Sequence, residues 1–232
     1  MSQVTVVIPL RGVHGGKSRL ASLLNPVQRA NAIAAMADHV LEAVLASGVA
    51  ATVLVVTREV DMRRHLRIAP GQVDYILQPD EVVGLNGAID LGRRRALEGA
   101  ASRMMVLLAD LPCLSAHDVR AFAESDADVS IGTDEAHTGT NALLLNSRSV
   151  MTGFQFHFGA NSRFHHQVEA ARRGLVFETA VLDGIARDLD TPEDWAMLTG
   201  DEVHRLVAPR SPGIPVSSIV TDQESAAILE HA

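Results

Sequence analysis

The sequence predicts an α/β layered domain built on a mostly parallel sheet. Short apolar runs rich in β-branched residues alternate with helical patterns over residues 1–130. The first run, VTVVIPL at 4–10, is almost continuously apolar, which is typical of a strand buried on both faces. A chain of 232 residues can also bury a core without disulfides. We expect one domain over 1–200 and a C-terminal tail over 201–232.

The apolar runs are predicted to be the strands of this sheet. Each is short and bounded by polar or glycine-containing segments. The predicted strands are 4–10, 51–57, 73–77, 104–109, 127–131, 141–145 and 176–182. Because ligands of parallel sheets bind beyond the carboxyl ends of the strands, we expect the functional residues to follow these runs directly.

The first predicted helix has clear signals at both ends. Asn25 and Pro26 form a cap and a first helical position, and Gly48 is a typical helix stop. Apolar residues recur between them at helical spacing. A short polar helix is predicted over 59–67.

Later helices are predicted from the same signals. A mixed loop over 157–166 is expected to lead into one of them. The others are a helix over 86–98 closed by Gly99, a helix capped by Ser115 with Asp118, and a helix begun by Thr191, Pro192 and Asp194 and ended by Gly200. Trp195, Met104 and Met105 are predicted to lie in the core.

Composition excludes several classes of protein. The chain has 28 acidic and 20 basic residues, a net charge of −8, whereas nucleic-acid binders usually present a basic surface. Cys113 is the single cysteine, which excludes an internal disulfide and a cysteine-rich zinc site. The N-terminus resembles a strand and not a signal peptide, and no apolar run reaches the roughly 18 residues of a membrane span. We expect a cytoplasmic protein, for which a homodimer is compatible with the sequence.

A glycine-rich basic loop follows the first predicted strand. Its glycines let the backbone approach a ligand, and its basic residues add positive charge to an acidic protein. These residues are Gly12, Gly15 and Gly16, with Arg11, Lys17 and Arg19. The glycine spacing fits neither a Walker A loop nor GxGxxG. We interpret the loop as a cradle for a triphosphate, with a plain surface turn as the alternative.

Aspartates follow two of the predicted strands. Asp110 comes directly after the run 104–109, and Asp188 and Asp190 alternate on what we expect to be a strand end, so that both point the same way. Carboxylates from two strand ends can hold Mg²⁺ while substrate phosphates complete its coordination. As alternatives, Asp110 caps a turn and Asp190 caps the helix that starts near Thr191.

The segment VGLNGA at 83–88 places glycines around a predicted helix start. Gly84 and Gly87 flank Asn86, which either reads a base edge or caps the helix, and the local pattern favours the cap.

Hydroxyls, amides and small residues cluster in the segments 138–141 and 158–162. They suit hydrogen bonding of a small anionic ligand, and the residues are Thr140, Asn141, Gly159 and Ser162. Nearby, His157, His165 and His166 match no zinc spacing, and we expect them to face solvent.

These motifs resemble one known family. IPLRGxxGGKSRL, GLNGAI, ADLP, TGTNALLL, FGANSRFHH and DLDTPEDW are similar to segments of the 2-phospho-L-lactate (phosphoenolpyruvate) guanylyltransferase family over about residues 4–198. Arg11 stands where that family usually has lysine, and His165 where it often has arginine. The resemblance implies a three-layer, nucleotide-diphospho-sugar-transferase-like fold and a role in coenzyme F(420) biosynthesis.

The resemblance also implies an activity and a set of site residues. The enzyme would join GMP from GTP to phosphoenolpyruvate, 2-phospho-L-lactate or 3-phospho-D-glycerate and release pyrophosphate. Mg²⁺ would be held by Asp110, Asp188 and Asp190. The acid would contact Thr140, Gly159 and Ser162, with Asn141 beside them, and the nucleotide would contact the Arg11–Arg19 loop and Gly84–Gly87. Lys17, Arg11 and Asp110 are the expected catalytic residues.

Two alternatives remain open from the sequence. One is another nucleotidyltransferase of the same fold, such as a molybdopterin guanylyltransferase or a cytidylyltransferase. The other is a non-catalytic nucleotide-binding protein, against which the presence of Lys17 and all three aspartates argues.

Overall fold

The protein folds as the predicted α/β domain around one mixed sheet. The structure is a computed structural model that describes residues 3–69 and 71–210. Its strands are β1 Val4–Pro9, β2 Ala50–Thr57, β3 Asp74–Leu77, β4 Met104–Leu107, β5 Val129–Gly132, β6 Ala142–Leu145 and β7 Phe177–Ala180. Every strand predicted from an apolar run is present, and no strand end is shifted by more than two residues.

The helices complete three layers. They are α1 Pro26–Ser47, α2 Gly84–Glu98, α3 Ala116–Ala123, α4 Arg148–Gly153, α5 Ser162–Arg172, α6 Asp183–Ala186, α7 Pro192–Ala196 and α8 Gly200–Val207. One core forms between the sheet and α1, α3 and α8, and the second between the sheet and α2, α4 and α5. Alternation along β1 supplies both cores, because Val6 and Ile8 join the first and Val7 joins the second.

The strand order creates a switch point beside β1. The order is β3-β2-β1-β4-β6-β5-β7, so the chain leaves β1 in one direction to β2 and later crosses to β4 on its other side. β6 runs antiparallel to β4 and β5, whereas the remaining pairs are parallel. The crevice at the carboxyl ends of β1 and β4 is where such sheets bind ligands. Because β6 is reversed, its first residues lie at this same edge.

Several predicted helix ends are confirmed by their capping bonds. Asn25 accepts a hydrogen bond from the Gln28 amide, Ser115 accepts one from Asp118 and Thr191 accepts one from Asp194. Gly48 ends α1 with φ 71°, a left-handed conformation that glycine adopts without the clash of a Cβ.

Two predicted helix boundaries are wrong. The polar helix over 59–67 is reduced to a single 3-10 turn, Met62–Arg64, because Glu59 turns away to bind the Val13 amide. Gly200 does not end a helix: α7 stops at Ala196, and Gly200 begins α8, which Thr199 and Glu202 cap reciprocally. Trp195 is half-buried at the edge of the core, whereas Met104 and Met105 are fully buried as predicted.

The tail predicted from residue 201 begins with an ordered helix. Leu206 of α8 is fully buried in the core that α1 contributes to. The rest of the tail, 211–232, lies outside the described residues. Within the described ranges, no helix has both the length and the apolar character needed to cross a membrane.

The packing of α2 on β1 offers a test of the fold. A Cβ at Gly92 would lie 2.4 Å from Val7 Cγ1, so Gly92→Val should lower the free energy of unfolding by about 1–3 kcal/mol through overpacking. Gly200→Val is the matched control, because a Cβ there has open space and the change should stay within about 0.5 kcal/mol. Urea denaturation measures both. Equal stabilities of the two variants would contradict this packing.

Candidate active site

The site lies in the crevice between β1 and β4, where a lysine meets two carboxylates. Lys17 Nζ donates to Asp110 Oδ2 and to Asp190 Oδ1, each at 2.6 Å. The Lys17 side chain is only 11% exposed. The structure therefore brings together three residues that are far apart in sequence, and all three were predicted to be site residues.

The charge of Lys17 is held in place by its partners. Burial opposes its charged form, but the charges and hydrogen bonds of Asp110 and Asp190 outweigh burial and raise its pKa. Its backbone has φ 51°, a left-handed conformation that costs a non-glycine residue about 1–2 kcal/mol. The loop thus accepts local strain at the residue that carries the charge into the crevice.

Asp188 brings a third negative charge to this site. Burial raises its pKa to about 6, assisted by the charges of Asp110 and Asp190, while a hydrogen bond from Asn141 opposes the rise. Asn141 Nδ2 lies 3.1 Å from Asp188 Oδ1 and also donates to the Ile185 carbonyl at 2.9 Å. Asn141 thus orients an acidic side chain of the site.

The prediction that Asp188 and Asp190 lie on a strand end is wrong. They occupy the irregular segment between α6 and α7, on either side of the fully buried Leu189. The Leu189 amide donates to the Asp110 carbonyl at 3.0 Å, which joins this segment to the end of β4. Burial of the leucine between them therefore directs both aspartates to the crevice, although the segment lies outside the sheet.

Asp110 keeps one carboxylate oxygen available to a divalent cation. Asp110 Oδ1 is buried and has no hydrogen-bond partner within 3–69 and 71–210, which leaves one lone-pair site of a charged group unused. Carboxylate oxygens are the ligands that Mg²⁺ prefers in proteins. The three aspartates would hold the ion together with substrate phosphates.

The other residues of the glycine-rich loop either pack against α1 or line a cavity. A Cβ at Gly16 would lie 2.7 Å from Ile33 Cδ1 of α1, and Gly15 has φ 74°. Arg19 lines a cavity of about 390 Å³ together with Asp188 and Asp190. Arg11 lines a second cavity, so the two arginines lie on different cavities.

The second cavity has a volume of about 460 Å³ and opens over the ends of β1, β2 and β3. Its polar lining includes Arg11, Arg58, Gln78 and Gly84. Gln78 is buried and donates to the carbonyls of Val82 and Gly84. Arg58 and Gln78 were missed from the sequence, although each directly follows a strand and so reaches the ligand edge.

Asn86 is half-buried and does not cap α2. The cap position is Val83. Asn86 Nδ2 donates to the Phe158 carbonyl at 3.0 Å, and its Oδ1 accepts from the Phe158 amide at 2.8 Å. This residue therefore braces α2 against the segment that contains Gly159. Gly87 is a packing position, since a Cβ there would lie 2.8 Å from Val82 Cγ1.

The predicted acceptor residues lie near a buried histidine. Thr140 and Ser162 are buried, the Ser162 amide donates to the Gly159 carbonyl, and Gly159 has φ 135°. His166 is 0% exposed, so the expectation that it faces solvent is wrong, whereas His165 is exposed. His166 packs between Phe154 and Phe158, and the sequence pattern does not predict this contact.

The hydrogen bonds of His166 determine how Thr140 is bonded. The His157 amide donates to His166 Nε2 at 2.9 Å, so the proton of the neutral ring lies on Nδ1. Nδ1 lies 3.1 Å from Thr140 Oγ1 and donates to it. The Thr140 hydroxyl hydrogen is therefore not used in this contact.

A family model for "Guanylyl transferase CofC like" proteins matches residues 4–224. A phosphoenolpyruvate guanylyltransferase of Rubrobacter xylanophilus is 37% identical over 198 residues, 84% of this chain and 93% of the relative. A 3-phospho-D-glycerate guanylyltransferase of Phenylobacterium zucineum is 33% identical over 195 residues, 81% of this chain and 86% of the relative.

The fold is also similar to that of solved proteins. A structure from Desulfovibrio desulfuricans G20, assigned as a nucleotide-diphospho-sugar transferase, superposes with a TM-score of 0.64 at 15% identity and covers 82% of this chain and 84% of that one. The predicted fold class is confirmed.

The buried His166 predicts a pH dependence of stability. Burial, with the charges of His157 and His165, lowers its pKa from 6.5 to about 3. As the pH falls from 6.5 towards 3, this histidine therefore becomes protonated in the unfolded chain before it does in the folded protein. The free energy of unfolding decreases over this range by up to about 1.4 kcal/mol per pH unit. His166→Gln should remove this contribution from the pH profile of urea unfolding.

The exposed His204 gives the matched control. His204→Gln should leave the wild-type slope unchanged. If the pH profile of unfolding for His166→Gln is parallel to that of the wild type, the lowered pKa of His166 in the folded protein is contradicted.

Proposed function

Because the chain belongs to the CofC-like guanylyl transferase family, we propose that it joins the GMP part of GTP to a three-carbon phospho-acid and releases pyrophosphate. Named guanylyltransferase relatives use phosphoenolpyruvate and 3-phospho-D-glycerate, so these are the first acceptors to consider, with 2-phospho-L-lactate as the third. The product would serve coenzyme F(420) biosynthesis. The observation that carries the proposal is the charged Lys17 between Asp110 and Asp190 at the switch point of the sheet.

The reaction is an in-line displacement at phosphorus. A phosphate oxygen of the acceptor forms a bond to the α-phosphorus of GTP, and the bond from that phosphorus to the bridging oxygen breaks. The leaving pyrophosphate keeps the electron pair. The acceptor phosphate is already largely ionised near neutral pH, so no residue has to remove a proton from it.

The main barrier is repulsion between two polyanions, and the chain supplies charges against it. Lys17 is a charged ammonium in a largely buried position, where its electrostatic effect is stronger than in water. Arg19 lines the adjoining cavity, and Arg11 lines the cavity over β1 and β2. Mg²⁺ held by Asp110, Asp188 and Asp190 would neutralise phosphate charge and orient the reacting groups.

The two substrates have separate places in this proposal. The cavity over β1, β2 and β3 takes the guanosine part of GTP, where Arg58, Gln78 and the Gly84 backbone offer polar contacts. The acceptor lies beside Thr140, whose hydroxyl hydrogen is not used in the contact with His166, and beside Gly159 and Ser162. Asn86 links the two sides through its paired hydrogen bonds to Phe158.

The direct test is product analysis. The protein is incubated with Mg²⁺, each of four nucleoside triphosphates and each of the three acceptors, and pyrophosphate release and product masses are measured. We expect GTP with at least one acceptor to give a product of GMP plus the phospho-acid. A cytidylyl product, or GTP binding with no turnover on any acceptor, would contradict the proposal.

Lys17→Ala should lower kcat by roughly 10²–10³, because one well-placed electrostatic donor is lost from the transition state. Circular dichroism and thermal melting in the presence of Mg²⁺ check that the fold is intact. Arg94→Ala, which removes an exposed basic side chain on α2, should keep wild-type turnover. Turnover of Lys17→Ala near the wild-type rate would refute the role of Lys17.

Asp110→Asn should abolish Mg²⁺-dependent turnover, because the substitution removes one negative charge and alters the buried oxygen that has no partner within the described ranges. A titration of rate against Mg²⁺ concentration measures the effect. Asp74→Asn, the same change at an exposed position of β3, is the control. Superimposable Mg²⁺ titrations of wild type and Asp110→Asn would count against this metal site.

A further inference from the structure

A second group of metal-binding side chains lies on the other side of the glycine-rich loop. His14 belongs to this loop, Glu59 follows β2, and His65 follows the 3-10 turn Met62–Arg64. Glu59 Oε1 lies 2.9 Å from His65 Nε2 and 3.6 Å from His14 Nε2. One donor atom from each of the three residues lies within 4.8 Å of the other two. None of these residues takes part in the proposed reaction.

The geometry of the three groups suits a single ion. Tetrahedral bonds of about 2.0–2.1 Å separate neighbouring ligand atoms by about 3.3 Å, close to the two distances seen here. The imidazole rings of His14 and His65 are 5.5 Å apart and nearly perpendicular, and a donor nitrogen of one lies within 4.8 Å of a donor nitrogen of the other, so that a rotation of the His14 side chain can direct both at one ion. The His14 side chain is 74% exposed and free to make that rotation.

The backbone fixes Glu59 for this role. Its Oε2 accepts a hydrogen bond from the Val13 amide at 2.9 Å, which leaves Oε1 directed at the two imidazoles. A Cβ at Gly12 would lie 3.0 Å from Oε2, so the loop packs closely against this carboxylate. A hydrogen-bonded carboxylate of this kind is a pre-oriented ligand.

Neighbouring positive charges already have partners. Arg64 pairs with Asp61, and Arg210 pairs with Asp38 and donates to the His65 carbonyl. A dication at the cluster would therefore meet the Glu59 carboxylate without an unpaired guanidinium from Arg64 or Arg210 beside it.

We propose that His14, Glu59 and His65 bind a divalent transition-metal ion such as Zn²⁺, leaving one coordination position for water. Two imidazoles and a carboxylate favour zinc over magnesium, which prefers oxygen ligands. The ion would fasten the glycine-rich loop to the segment after β2. His14 is three residues before Lys17, so the ion would restrict the loop that carries Lys17 into the crevice.

Zinc binding to the full-length chain tests the proposal. The protein is treated with a chelator, desalted and titrated with Zn²⁺ by calorimetry in excess Mg²⁺, which competes for the aspartate site. We expect one zinc ion per chain. His14→Gln and His65→Gln should each weaken binding by at least about tenfold, since loss of a supporting contact alone commonly costs 10–100-fold. His117→Gln, an exposed histidine of α3, should bind as wild type does.

A second measurement reports on the loop and is independent of catalysis. Zn²⁺ should slow hydrogen exchange in peptides covering residues 11–19 of the wild type and leave exchange in His14→Gln unchanged. His14 is exposed, so this variant should keep its fold, which thermal melting without metal checks. The proposal is overturned if the wild type binds no zinc. It is equally overturned if Asp190→Asn loses zinc binding while His14→Gln keeps it, because the aspartate site would then be the zinc site.

Discussion

The structure of the crevice depends on one electrostatic constraint: acidic side chains from separate segments meet there, and their negative charges need a positive partner. Lys17 meets this requirement for Asp110 and Asp190, and its pKa is raised despite burial. The negative charge of Asp188 is destabilised, because burial and its acidic neighbours raise its pKa to about 6. These charges are the basis of the proposal that a divalent ion and the substrate phosphates bind in the crevice.

The fold creates this constraint through its connections. The switch point beside β1 opens a crevice, and the reversal of β6 brings Thr140 and Asn141 to the same edge as Lys17 and Asp110. Asn141 then reaches Asp188, and the bond between the Leu189 amide and the Asp110 carbonyl joins the two acidic segments. A hydrogen bond therefore connects Asn141, predicted to lie beside the acceptor, to Asp188, one of the proposed cation ligands.

Much of this was predictable from sequence because it is local. Apolar runs predicted the strands, and capping pairs such as Ser115 with Asp118 predicted the helix starts. The remainder depends on contacts between distant segments. The burial of His166 comes from Phe154 and Phe158, and the brace made by Asn86 comes from a backbone 72 residues away. No pattern within one segment specifies the reversed direction of β6 or the buried leucine that sets Asp188 and Asp190.

Crystals grown with Mn²⁺ and a GTP analogue would test the central claim most directly. An anomalous difference map locates the ion without reference to activity. We predict a manganese peak within bonding distance of Asp110 and of at least one of Asp188 and Asp190, with the nucleotide phosphates beside it and Lys17. A manganese ion bound to the phosphates but away from all three aspartates would contradict the account.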